Sequence, residues 1–137
     1  MNKILIVDAN PYHLSIMFGL LEKAGYEPVT ADSMKKGKEE VAKLPPGGVI
    51  VSAINLHGVS VVELMEWMKA RGYKFPVLVI VDNLNAVELV EVMSDWKAVN
   101  IIQRPAIDKQ LIEFVRKYSK KEKGSLNLGK QLLPRLS

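Results

Sequence analysis

Three aliphatic runs in the chain end in residues that could do chemistry. Lys3–Val7 is followed by Asp8, the run 76–81 by Asp82, and Ile101-Ile102-Gln103 by Arg104. Carboxylates gathered at such ends could hold a divalent cation, which takes oxygen ligands. A guanidinium could face a phosphate or a carboxylate. A further run, GGVIVSA over 47–53, ends in Ala53, which offers only a methyl group. The hydroxyls of Ser52 and Ser60 could serve as nucleophiles. Ser60 has Glu63 three residues on, however, and this spacing marks a helix cap, while Ser52 reads as a strand residue packed under a helix. His13 and His57 have no metal-like spacing and no Asp or Cys partner nearby in sequence, so both are expected at the surface. The chain has no cysteine, which excludes disulfides, thiolate metal sites and cysteine nucleophiles.

Those ends are positioned by five short β-branched segments alternating with helical patterns. The expected strands are 3–7, 27–30, 49–54, 76–81 and 101–103. Pro11 suits a helix start, with Leu14, Phe18 and Leu21 at helical spacing and a stop at Gly25. Ser33 can cap a charged helix to about Leu44, despite an unfavourable Gly37. Val61, Leu64, Met65 and Met68 form one stripe of a third helix, which stops at Arg71-Gly72. A fourth is predicted over 85–96, carrying Val87, Val90 and Met93. A last helix runs from Asp108 to about Lys121. Strands apolar on both faces, alternating with helices, predict an α/β fold: one doubly wound, five-stranded parallel sheet with five helices. In such sheets ligands gather at the carboxyl ends of the strands.

Composition bounds the function. With 137 residues, 48% of them hydrophobic and 25% charged, the chain has room for one globular domain and a short extension. Its net charge of +4 is unevenly spread. Residues 116–137 hold seven basic and one acidic residue, against twelve basic and fourteen acidic before them. The global basicity therefore says little about the body's partners. Residues 119–137 read as a basic linker or tail, leading to an output domain outside this sequence or weakly touching nucleic acid. No apolar run approaches membrane-spanning length, and a cytoplasmic location is the default expectation.

The motifs KILIVDAN, GGVIVSAINLHGVSVVEL, FPVLVIVD and IIQRP occur in order, at matching spacing, on matching elements. Together they make residues 1–118 resemble the response-regulator receiver domain (CheY-like, flavodoxin-like, strand order 2-1-3-4-5). The resemblance implies an acidic pair and an acceptor aspartate holding Mg²⁺, a Thr or Ser on the fourth strand, a lysine after the fifth, and an aromatic switch on the fifth. At the matching positions this chain has Asp8 and Ala9, Ala53, Val81, Arg104 and Ile101. Asn55 sits where the family offers a backbone carbonyl, and His57 replaces a turn proline. Losses of several different kinds in an intact apolar frame argue for a naturally degenerate site.

The resemblance thus implies a phosphorylation-independent pseudo-receiver in two-component-type signalling or transcription regulation, acting through protein contacts. No cofactor, metal or catalysis is expected. Asp8 and Arg104 are expected to pair across the vacant pocket, since either charge half-buried alone would be costly. The family's interaction face would be supplied by Val87, Val90, Glu91, Trp96, Ile101, Lys109 and Glu113, serving a partner protein or a second copy. Trp67 and Trp96 read equally as binding-face residues or as partly buried helix edges. Two alternatives stay open. One is a sensor binding a small anion or metabolite near Arg104. The other is a dehalogenase-like phosphatase, for which Asn10 stands where an Asp would be needed.

Overall fold

A computed structural model describes residues 2–82, 100–103 and 108–131, with 120–131 as backbone alone. The elements run β1 (Lys3–Val7), α1 (Pro11–Lys23), β2 (Glu27–Ala31), α2 (Met34–Lys43), β3 (Val49–Ala53), β4 (Asn55–Leu56), β5 (Val59–Ser60), α3 (Val61–Ala70), β6 (Val77–Val81), β7 (Asn100–Gln103) and α4 (Asp108–Gln131). The main sheet is parallel throughout, in the order β2-β1-β3-β6-β7. Counting its five strands alone, this is the 2-1-3-4-5 order expected from the sequence. The helix predicted over 85–96 lies outside the described residues, and so do Val87, Val90, Glu91, Trp96 and Arg104.

The strand period of two sorts the core into two layers. Leu5, Val7, Ile50, Val77, Val79 and Val81 pack with Val41 of α2 and Leu64, Met65 and Met68 of α3. Their neighbours Ile4, Ile6, Val49, Val51, Leu78 and Ile80 pack with Met17 and Leu21 of α1 and Leu111, Phe114 and Val115 of α4. Each fully buried aliphatic side chain stabilises the fold by about 1.5–3 kcal/mol. With both faces covered, β1, β3 and β6 must read as unbroken apolar runs, and their sequences do.

Helix starts follow the cap chemistry. Asn10 Oδ1 accepts from the backbone N–H groups of Tyr12 and His13, Ser33 Oγ from Lys36, and Ser60 Oγ from Val62. Glu63 does not close a capping box: its carboxylate lies 3.0 Å from Lys38 Nζ, joining α3 to α2. Gly37, unfavourable for helix propensity, has a packing reason. A Cβ there would sit 3.3 Å from Val7 Cγ1, so the glycine lets α2 press onto β1.

Two features depart from the sequence reading. Residues 55–60 form a small antiparallel hairpin, with His57 (φ 51°) and Gly58 (φ 84°) at its tip. Both are left-handed, as a two-residue turn matching the strand twist requires. Asn55 Oδ1 accepts from Gly58 N–H at 2.8 Å and steadies the turn. In addition, α4 continues to Gln131, ten residues beyond the predicted end near Lys121. The Lys-rich stretch read as a linker is made largely of helix formers and contains no proline before Pro134. No helix of the described residues is long and apolar enough to cross a membrane.

Candidate functional site

The sheet register brings the chemical positions to one edge. Val7 pairs with Ser52, Ala53 with Ile80, and Val81 with Gln103, so the carboxyl ends of β1, β3, β6 and β7 lie side by side. Asp8 continues the ladder just past β1, donating its N–H to Ala31 O at 3.0 Å. Its side chain is buried. Oδ1 accepts from Asn10 N–H at 2.9 Å, and Oδ2 lies 3.6 Å from His13 Nδ1. With Asn10 also capping α1, strand end, turn and first helical turn are tied into one unit.

The His13 contact corrects the expectation of a surface histidine without an acidic partner. The side chain is only 25% exposed and stands beside Asp8. The reason is the tight strand–turn–helix reversal, which folds the first turn of α1 back over the end of β1. A separation of five residues hides this in the sequence, although the Asn10-Pro11 helix start was its available signal. His57 is exposed at the hairpin tip, as expected. The expected Asp8–Arg104 pairing falls outside the described residues on its Arg104 side.

The other positions are apolar. Ala9 and Ala53 are half-buried and Val81 is fully buried, its side chain part of the layer under α2 and α3. Ile101 is half-buried against that same layer. Ser52 is fully buried and donates its Oγ hydrogen to Ala53 O at 2.8 Å, so its hydroxyl is committed within the strand. Ser60 Oγ is committed to capping α3. Asp82 is exposed, and its backbone oxygen accepts from Gln103 Nε2 at 3.4 Å. Among the described residues, no three His, Cys, Asp or Glu side chains come together to hold a metal ion. A Mg²⁺ site built from carboxylates at these strand ends does not fit the side chains present.

Two surface regions lie apart from this edge. A groove of about 260 Å³ between β7 and α4 is lined by Asn100, Ile101, Gln110, Glu113 and Lys117, with Lys109 exposed on the same helix. At the amino ends of the strands, a cleft of about 340 Å³ is lined by Pro46, Gly48, Tyr73, Phe75, Pro76 and Tyr118. Trp67, left open between two readings, is half-buried. It stacks on Tyr73 at 5.6 Å and carries the Arg71 guanidinium 4.7 Å from its ring centre. It extends the core at a helix edge.

The family model for the response regulator receiver domain matches residues 4–116. Solved structures agree in fold. A CheY-like receiver domain protein from Methanospirillum hungatei superposes with a TM-score of 0.78 at 20% identity, over 90% of this chain and 97% of that one. Full-length FixJ from B. japonicum gives 0.80 at 22% identity, over 90% of this chain and 60% of FixJ. The beryllofluoride-activated NtrC4 receiver domain dimer gives 0.72 at 20% identity, over 88% and 98%. No curated protein sequence matches this one.

Proposed function

This chain belongs to the response regulator receiver domain family, and from that premise we propose that it is a pseudo-receiver. It is an interaction module of signal transduction that works without a phosphate on residue 53. The observation that supports this most is Ala53 at the carboxyl end of β3, at the family's acceptor position. A methyl has no oxygen to attack phosphorus. Ala9 removes a second carboxylate, and Val81 offers no hydroxyl to a phosphoryl oxygen. The losses are mutually consistent: without the acceptor, neither the metal nor the hydroxyl has work to do.

A module without that chemistry must act through its surfaces. The groove between β7 and α4 combines half-buried Ile101 with exposed Lys109, Glu113 and Lys117, an apolar floor with a charged rim. Val87, Val90, Glu91 and Trp96 would complete that face. We assign it to a protein partner or a second copy of the chain; the NtrC4 receiver domain, of the same fold, was solved as a dimer. Sedimentation of Ile101→Asp against the wild type tests the self-association form, with weaker association expected.

The test of the central reading is incubation with acetyl phosphate and Mg²⁺, followed by intact mass measurement. No hydroxylamine-sensitive acyl phosphate is expected. An acyl phosphate would overturn the proposal.

A further inference from the structure

We propose that His13 is a phosphoryl-acceptor site, with Asp8 as its positioning residue. This goes beyond the interaction reading, which concerns residue 53 and the groove at β7. Four observations support it. First, Nδ1 of the ring faces Asp8 Oδ2 at 3.6 Å, within ion-pair range. The side chain retains 25% exposure, which leaves part of the ring open to a small donor. Second, the carboxylate is fixed. Its side chain is 6% exposed and its other oxygen is held by Asn10 N–H at 2.9 Å. A fixed carboxylate beside Nδ1 favours the tautomer with the proton there, leaving the lone pair on Nε2. Third, the two hydroxyls singled out in the sequence as possible acceptors are committed elsewhere, Ser52 Oγ to Ala53 O and Ser60 Oγ to the α3 cap. Fourth, His13 lies in the first turn of α1, where the helix dipole favours negative charge.

The step balances with a phosphoramidate donor. The Nε2 lone pair attacks phosphorus, and an N–P bond forms. The donor reacts as its zwitterion, so when the P–N bond breaks its electron pair goes to a nitrogen already carrying three hydrogens, which departs as ammonia. The ring keeps its proton on Nδ1 and becomes positively charged, next to the carboxylate that can stabilise it. Asp8 thus acts on the charge developing in the ring rather than on the phosphoryl group. His57 provides the internal contrast. It sits exposed on the hairpin tip, with no carboxylate in ion-pair range among the described residues.

The experiment treats the full chain with potassium phosphoramidate and follows intact mass, site mapping and label stability. The expected product carries one phosphoryl group on His13, lost in dilute acid and stable in alkali. His13→Ala and His13→Gln should both lose it, and His57→Ala should label at the wild-type rate. Asp8→Asn should label about tenfold more slowly, the lower end of what orienting partners of metal-ligating histidines are worth. Equal labelling of His13 and His57, no label on His13, or no effect of Asp8→Asn would each overturn the proposal. An alkali-labile label at the strand ends would instead overturn the reading of residue 53, so the two failures are distinguishable.

Discussion

Within β3, Val49 to Ser52 are fully buried, whereas Ala53 at the strand's end is half-buried and carries a single methyl. The same contrast recurs across the sheet. The interior of β1 and β6 is solid aliphatic packing on both faces, while at the strand ends Ala9 and Val81 carry no polar side-chain group. The comparison teaches that the two regions answer to different physics. The interior supplies apolar burial, which tolerates little loss of volume. The edge supplies oriented polar groups, which cost stability to bury and contribute to a fold only when paired. Chemistry can therefore leave the edge while the frame stays whole.

Five substitutions test that contrast. The largest effect should come from the interior. Leu64→Ala, emptying a fully buried site under α3, should lower stability by about 2–5 kcal/mol, seen as a drop in the urea midpoint. A loss near zero would mean that the interior is as permissive as the edge.

Next comes Ala53→Asp. It sets a second carboxylate on the strand beside Asp8 and should cost about 1 kcal/mol, with no rescue by Mg²⁺. Adding Ala9→Asp should convert that cost into a Mg²⁺-dependent rise in melting temperature, because three carboxylates then gather. If Mg²⁺ stabilises the single variant, the edge retains more metal-holding capacity than its side chains suggest.

Asn10→Ala removes the acceptor for two N–H groups at the start of α1 and should cost about 1 kcal/mol. The smallest effect belongs to Lys38→Ala. Its ion pair with Glu63 is partly exposed and should contribute about 0.2–1 kcal/mol, screened by salt. A loss larger than that of Asn10→Ala would place real weight on the α2–α3 bridge.

The fold was legible because its signals are periodic. Unbroken runs such as VLVIV announce strands buried on both faces, and Asn10, Ser33 and Ser60 announce helix starts through hydrogen bonds local in sequence. The hairpin at 55–60 escaped because each of its strands is two residues long, too short for alternation to register, and its tip uses histidine rather than asparagine in a left-handed position. The extent of α4 escaped because Lys suits both a solvated linker and a helix. At the edge, the apolar identities of Ala9, Ala53 and Val81 could be read directly. The Asp8–His13 contact could not, because it depends on how sharply the chain turns between β1 and α1.

The central claim is that residue 53 takes no phosphate and binds no phosphoryl mimic. The most direct test is an amide NMR spectrum of the protein, recorded before and after adding beryllofluoride and Mg²⁺. The account predicts unchanged shifts at Ala53, Ile54 and Val81. Saturable shifts centred on residue 53 would contradict it.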